Sequence, residues 1–323
     1  MKKNKTQSGY VLVTGGAGYI GSACTKALLD NGYSVVVIDN LSRGNRMYID
    51  PRSIFIKIDL KNEDAVLSVF SQYIFDYVIH FAALKSPEES ERNPLLYFEN
   101  NLRGTKNVLS GMIETNVEAI IFSSSAAVYD ATLKIERYSE ESPIRSSNTY
   151  GLVKIMEEEL VMDVTKKGLL HRAVIFRYFN VAGDSGLNFF DSRYDNVFPI
   201  LSRATNNETQ FNIFGDDYPT KDGTPVRDYV HISDIVAAHI QALEQKHVSG
   251  ILNLGTSSGY SVKELIGAFA RISGKSTKIH IKPRRAGDPS MILADITKAK
   301  NMLGWEPKHS LDEMIVSSLK IYK

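Results

Sequence analysis

Apolar residues over the first 180 positions fall into short β-branched runs separated by stretches with helical spacing. The run Val11-Leu12-Val13 is stopped by Gly15-Gly16, after which apolar positions recur at helical intervals through Ile20, Cys24, Ala27 and Leu28 until Asn31-Gly32. Further strand signatures lie at 34–38, 54–58, 77–83, 119–122 and 173–179. Helices are predicted over 62–71, from Asn100 through Met112, and from near Tyr150. Strands that alternate with helices on short links predict a parallel sheet covered on both faces, with ligands at the carboxyl ends of its strands.

Beyond Asn180 the alternation gives way to turn-rich sequence over 183–196 and then to shorter elements. A helix is expected at 201–207, extended chain at 211–214, a loop at 216–223, a helix from Ser233, a strand at 250–255 and a helix from Thr297. The whole reads as α/β: a Rossmann-type doubly wound parallel sheet with a smaller, interleaved C-terminal substrate-binding lobe. The expected division is 8–182 for dinucleotide binding and 183–323 mainly for substrate, with segments around 228–256 returning to the first domain.

The glycines sharpen this reading. Gly15, Gly18 and Gly21 stand at GxxGxxG spacing between a strand and a helix, where bare backbone N–H groups and a positive helix end can receive a pyrophosphate. Asp39 closes the next strand, in the place where a carboxylate takes ribose hydroxyls and repels a 2′-phosphate. NAD is therefore expected over NADP, with Arg43 as the argument for the minor alternative. Asp59 ends the third strand, either near an adenine or as a cap for the helix over 62–71. Ala82 and Ala83 are small enough at a strand end for a ligand to approach.

Composition narrows the partners. A chain of 323 residues, 43% hydrophobic, can bury a full α/β core and a second lobe. Thirty-eight basic and 37 acidic residues leave a net charge of +1 without a single-sign block, so neither nucleic acid nor a membrane surface is an expected partner. The lone Cys24 excludes an internal disulfide and a cysteine-cluster metal site, and the seven histidines show no paired-ligand spacing, so no metal is expected. No apolar run reaches membrane-spanning length and the Lys-rich start lacks a signal-peptide core, which points to a soluble cytoplasmic protein.

Tyr150 and Lys154 are one helical turn apart and project from one face. A tyrosine is a poor base near neutrality, but an adjacent ammonium and a cationic nicotinamide both favour its phenolate. Ser125, closing its strand, can bond the same substrate hydroxyl; turn capping is the competing role and the better one for Ser123. No glycine elbow surrounds Ser125, which disfavours a hydrolase. Arg227 and Arg284-Arg285 sit in expected loops of the second lobe, where guanidinium forks suit a diphosphate. His231 reads as a satisfied buried or edge histidine.

With these residues in place, the chain resembles the extended short-chain dehydrogenase/reductase family that works on nucleotide sugars, and within it the NAD-dependent 4-epimerases of UDP-hexoses. The resemblance rests on Thr14 to Gly21, Asp39-Asn40-Leu41, His80 to Lys85, Ser123 to Ser125, Arg177 to Asn180, Ile213 to Thr220, Asp222 to Thr224, Val226 to His231 and Arg284 to Asp288, in the family's order. It implies Tyr19 and Ile20 on the NAD phosphates, Asp39 and Asn40 at the adenosine ribose, and Asp59 and Leu60 beside adenine. Phe81, Ala82, Ala83, Lys85 and Asn100 would line the cofactor, with Phe179 near the nicotinamide. Tyr150 would be the base, Lys154 its partner, and Ser125 the second contact of the hydroxyl, with Lys85 also touching substrate. Asn180, Asn196, Val197, Asn212, Phe214, Arg227, Arg285, Asp288 and Ile292 would hold the UDP portion and adjoining sugar.

The implied activity is reversible C4 epimerisation through a 4-keto sugar, by a homodimer. Ala126 and Ala127 stand where 4,6-dehydratases of the family need acidic groups, which disfavours dehydration. A net-redox dehydrogenase of nucleotide sugars, or a UDP-GlcNAc-specific 4-epimerase, is the alternative; a non-catalytic NAD sensor is argued against by Tyr150 and Lys154. Two departures stand out. Asp130 replaces a usual glycine, and Ile292 replaces the bulky tyrosine of relatives that exclude 2-acetamido sugars, so UDP-GlcNAc and UDP-GalNAc are expected substrates too.

Overall fold

A computed structural model describes residues 9–133, 135–189, 196–285 and 288–321. In chain order the first elements are β1 (Tyr10–Thr14), α1 (Tyr19–Asp30), β2 (Val35–Asp39), β3 (Ile54–Lys57), α2 (Glu63–Gln72) and β4 (Phe75–His80). Then come α3 (Pro87–Arg92), α4 (Pro94–Tyr97), α5 (Arg103–Glu114), β5 (Ala119–Ser125), β6 (Arg137–Tyr138), α6 (Thr149–Lys166), β7 (Arg172–Tyr178) and β8 (Asn180–Ala182). The rest comprises α7 (Val197–Asn206), β9 (Gln210–Phe214), β10 (Val226–His231), α8 (Ile232–Glu244), β11 (Gly250–Leu254), β12 (Gly259–Ser261), α9 (Val262–Ser273), β13 (Lys278–Lys282), β14 (Met291–Ala294), α10 (Thr297–Leu303) and α11 (Leu311–Ile321).

The main sheet has seven strands in the order β11-β7-β5-β4-β1-β2-β3, and the pairs β1·β2, β1·β4, β2·β3 and β4·β5 are all parallel. The chain runs outward from β1 to β3, crosses back through α2 to β4, and continues the other way. The order therefore reverses between β1 and β4, the place where an open α/β sheet receives its ligand. The strands are buried on both faces: Leu12, Val36, Ile38, Val78, Ile120 and Ile175 pack with Val66, Val69 and Phe70 of α2 and Val108, Leu109 and Met112 of α5. That is why they read as continuous apolar runs rather than as alternation.

The chain divides into two compact units. One gathers the chain up to Ser124 with Asn148–Phe176 and His239–Ile251; the other gathers Ser125–Ser147, Arg177–Ala238 and the chain from Leu252. The second unit has its own sheet, β12-β10-β14-β6 with β8 beside β10, and a separate parallel pair, β13·β9. Its core is Phe198 and Leu201 of α7, Tyr229 of β10, Leu265 and Phe269 of α9, and Met314 and Ile315 of α11.

One helix differs from its sequence expectation. It begins at Pro94, passes through a π turn at Phe98–Leu102 and continues as α5, rather than opening at Asn100. The Asn100-Asn101 pair looks like a cap, but the Asn101 side chain is buried and turned onto the Leu84 backbone, accepting its N–H at 2.8 Å and donating to its carbonyl at 2.9 Å. No helix of the described residues is long and apolar enough to cross a membrane.

Candidate active site

In the first unit, the loop after β1 is set by close approach. Gly15 has φ +69°, and a Cβ on it would lie 2.7 Å from the Ala82 nitrogen, so glycine lets the loop rest on the end of β4. A Cβ on Gly21 would strike the Gly15 carbonyl oxygen. Gly18 is the N-cap of α1 without a side-chain cap, so the helix opens at Tyr19 and Ile20 with backbone alone at its positive end. Such a cradle of bare backbone fits the pyrophosphate of NAD.

Asp39 is half-buried at the end of β2, and its carboxylate accepts the Ala17 N–H at 3.1 Å and the Leu41 N–H at 2.8 Å. Burial pushes this carboxyl up from its ordinary value, against those two donors. Two bonds leave acceptor capacity for ribose hydroxyls. Asn40 donates to Asp59 at 3.2 Å, which ties the ends of β2 and β3 together, and Leu60 is fixed by Asn107 donating to its carbonyl at 2.8 Å. The helix cap is Asn62, not Asp59, since Asn62 accepts the Ala65 N–H. Arg43, the argument for a 2′-phosphate, is paired with Glu89 at 2.5 Å.

Phe81, Ala82 and Ala83 follow β4 and are partly exposed, with the Phe81 ring 4.9 Å from that of His239. Lys85 is exposed, and Asn100 lies on the π turn, donating to Asn101 at 2.9 Å. Tyr150 stands on the first turn of α6, which Asn148 caps by accepting the Gly151 N–H at 2.9 Å. Its own N–H is held by Ser90 at 3.0 Å, and its ring packs edge-on against Tyr97. Lys154, one turn on, is 3% exposed, with its ammonium 4.7 Å from the Phe122 ring centre and 3.1 Å from Glu157 Oε2.

In the second unit, Ser125 closes β5 and accepts the Ala127 N–H at 3.2 Å. Capping thus falls on Ser125, whereas Ser123 lies within the strand; the Ser125 hydroxyl proton stays available to donate. Asp130, in place of glycine, builds its own turn by accepting the Thr132 N–H and hydroxyl. Phe179 is buried, its N–H on the Leu254 carbonyl, and Asn180 donates to the Asp228 carbonyl at 3.1 Å. Asn196 caps α7 by accepting the Val197 N–H at 2.8 Å and donates to the Val181 carbonyl.

Arg227 sits on strand β10 rather than in a loop; Pro225 ahead of it marks the strand's start, not a turn. Its guanidinium pairs with Asp288 at 2.5 Å, and Ile292 of β14 lies opposite it in the ladder. Arg285 stacks 3.9 Å over the Phe214 ring, while Asn212, two residues before Phe214 on β9, is exposed and accepts from Gln210. Arg284 instead pairs with Asp217 and lies over Tyr218. His231 accepts the Ser233 N–H and stacks on His309 at 4.2 Å, a satisfied histidine as its sequence context implied. Among the described residues no cluster of His, Cys, Asp or Glu could hold a metal ion.

Sequence reasoning missed Glu157. In Glu157-Glu158-Glu159 it reads as part of a solvated run, yet Glu157 and Glu158 are buried, the first beside Lys154 and the second on the Ser124 hydroxyl. The available signal was the three-residue spacing from Lys154, which puts a carboxylate on the ammonium's face.

Known proteins resemble this chain over nearly its whole length. A UDP-glucose 4-epimerase from Lactobacillus helveticus is 39% identical, over 97% of this chain and 97% of its own length. The crystal structure of one from Stenotrophomonas maltophila, with bound NAD and formylated UDP-arabinopyranose, superposes with a TM-score of 0.92 at 34% identity, covering 98% of each chain. Another, from Bifidobacterium longum in complex with NAD+ and UDP, gives 0.90 at 37% identity, covering 97% of each. The family profile matches residues 11–255, and the chain belongs to the NAD dependent epimerase/dehydratase family.

Proposed function

We propose that the protein interconverts UDP-glucose and UDP-galactose by reversible inversion at C4, and accepts UDP-GlcNAc and UDP-GalNAc as well. The observation that carries this is Tyr150 and Lys154 on one turn of α6, in the same unit as a glycine cradle and ribose carboxylate that fit NAD. In this reading Gly15, Gly18, Tyr19, Ile20 and Gly21 hold the pyrophosphate, Asp39 and Asn40 the ribose, Asp59 and Leu60 the adenine, and Phe81 to Ala83, Lys85, Asn100 and Phe179 line the rest. NAD, when bound, supplies a hydride acceptor that takes the C4 hydrogen and returns it to either face.

Tyr150 takes the proton of the 4-hydroxyl and later gives it back to the 4-keto oxygen. Lys154 keeps the phenolate accessible by its positive charge, and Ser125 donates to the same sugar oxygen. Asn180, Asn196, Arg227, Arg285 and Asp288 hold the uridine diphosphate, so binding energy resides in the nucleotide and the hexose is free to turn. Ile292, smaller than a tyrosine, leaves room for a 2-acetamido group. Exposed Leu95 and Leu96 on α4, with Leu152 and Met162 on α6, support a homodimer built on these helices. We place the activity in the cytoplasm, a reducing setting that suits the single buried Cys24.

The test is incubation with each of the four UDP-sugars and separation of the products. Each 4-epimer pair should reach the same ratio from either side with no net NADH. Stoichiometric NADH, or no conversion of any of the four, overturns the reading.

A further inference from the structure

The polar groups around Lys154 form one directional chain, all within the first unit. Glu157 Oε2 lies 3.1 Å from the Lys154 ammonium, and Glu157 Oε1 accepts the Thr105 hydroxyl of α5 at 2.5 Å. A carboxylate only accepts, so the Thr105 proton is committed to it, and Thr105 must accept from His80 Nε2, 3.0 Å away. That order fixes the His80 tautomer: Nε2 carries the hydrogen and Nδ1 accepts the Thr14 hydroxyl at 2.7 Å. Thr14 Oγ1 in turn accepts the Ala82 N–H at 3.2 Å. Thr14, His80, Thr105, Glu157 and Lys154 are each at most 3% exposed.

A buried ammonium without a counter-charge is strongly disfavoured, and a buried carboxylate is tolerated only when its oxygens are engaged. Here Oε1 of Glu157 is engaged by the Thr105 hydroxyl, while Oε2 faces the Lys154 ammonium at ion-pair distance with no hydrogen bond of its own, and the far end of the chain is the backbone of Ala82, against which Gly15 rests. Burial and the nearby Lys154 charge hold His80 down to about 3, so it serves as a neutral, fixed link. The neighbours of the Lys154 ammonium are Glu157 on its own helix, the Phe122 ring of β5 and neutral His80 of β4, with buried Glu158 one turn further along α6.

We propose that Glu157 is a positioning residue for the reaction: its carboxylate keeps Lys154 charged and in place one turn from Tyr150, while Thr105, His80 and Thr14 anchor Glu157 to the backbone beside the glycine loop. This rests on the roles proposed above for Tyr150 and Lys154.

The NAD-loaded variants Glu157→Gln, Glu157→Asp, Thr105→Val and Thr105→Ser test it. Glu157→Gln should lower kcat roughly tenfold or more with KM near the parent value. Its activity should fall away toward alkaline pH, where the parent holds, as the uncompensated Lys154 gives up its proton. Glu157→Asp should restore part of both. Thr105→Val should act in the same direction more weakly and Thr105→Ser should recover, which keeps the test available if Glu157→Gln does not fold. Parent-like kcat and pH profile in folded Glu157 or Thr105 variants, or a loss of thermal stability alone, overturns the proposal. Near-parent turnover by Tyr150→Phe instead sinks the functional reading; an inactive Tyr150→Phe beside indifferent Glu157 and Thr105 variants sinks only this inference.

Discussion

Gly15 and Ala82 are so close that a Cβ on the first would lie 2.7 Å from the nitrogen of the second. The contact joins the ends of β1 and β4, the two strands between which the sheet order reverses. Gly15→Ala must therefore push the loop off β4 and also hold an alanine at φ +69°, which by itself costs about 1–2 kcal/mol. The variant should purify with substoichiometric NAD and a lowered Tm, measured by nucleotide release on denaturation and by a thermal scan.

Tyr150→Phe removes one hydroxyl from the start of α6 and leaves the glycine cradle and Asp39 untouched. Turnover of UDP-galactose should fall by about 10²–10⁴-fold, the range for loss of a general base, while bound NAD stays stoichiometric. A coupled assay and the same nucleotide measurement check both halves.

The 2.5 Å pair of Arg227 and Asp288 orients the guanidinium at the start of β10. If it holds the diphosphate, Arg227→Gln should weaken UDP binding by about tenfold or more, the worth of a charge-assisted hydrogen bond, with a smaller change in kcat. Calorimetric titration with UDP gives the affinity, and steady-state rates give the split.

Ile292 lies across the ladder from Arg227. Ile292→Tyr should close the space assigned to a 2-acetamido group, abolishing turnover of UDP-GlcNAc and UDP-GalNAc while UDP-glucose and UDP-galactose continue. Equal effects on both pairs would show that Ile292 does not discriminate.

Acid should destabilise the fold through two histidines. Burial, with the nearby Lys154 charge, pushes His80 from 6.5 to about 3; burial, with His309, pushes His231 to about 4. Unfolded chain takes up protons at both near 6.5, whereas the folded protein does not, so stability is lost as pH falls below that value, at about 1.4 kcal/mol per pH unit for each. The loss levels off for each as pH passes its folded value. Asp39, Asp228 and Glu140, raised by burial, act in the opposite sense, so a variant comparison is needed. His231→Asn should flatten the fall of Tm between about pH 6.5 and 4.

The strands of the main sheet were legible because burial on both faces leaves them as uninterrupted apolar runs, and the glycine loop because its spacing has one steric meaning. The start of the helix through Asn100 is not legible, because asparagine that caps and asparagine that bonds an inner backbone, as Asn101 does with Leu84, look alike in sequence. Arg227 reads as a loop residue in sequence because a short strand behind Pro225 carries no strong alternation. Glu157 is only half legible: its three-residue spacing from Lys154 lies within α6, but its burial also depends on Thr105 arriving from α5, a non-local fact that no window on α6 contains.

The central claim is that hydrogen leaves C4 as hydride and returns without meeting solvent. The direct measurement is conversion of UDP-galactose in heavy water, with C4 of the product read by NMR. The account requires UDP-glucose with no deuterium at C4; deuterium there would mean that the carbon is deprotonated and reprotonated, and would contradict it.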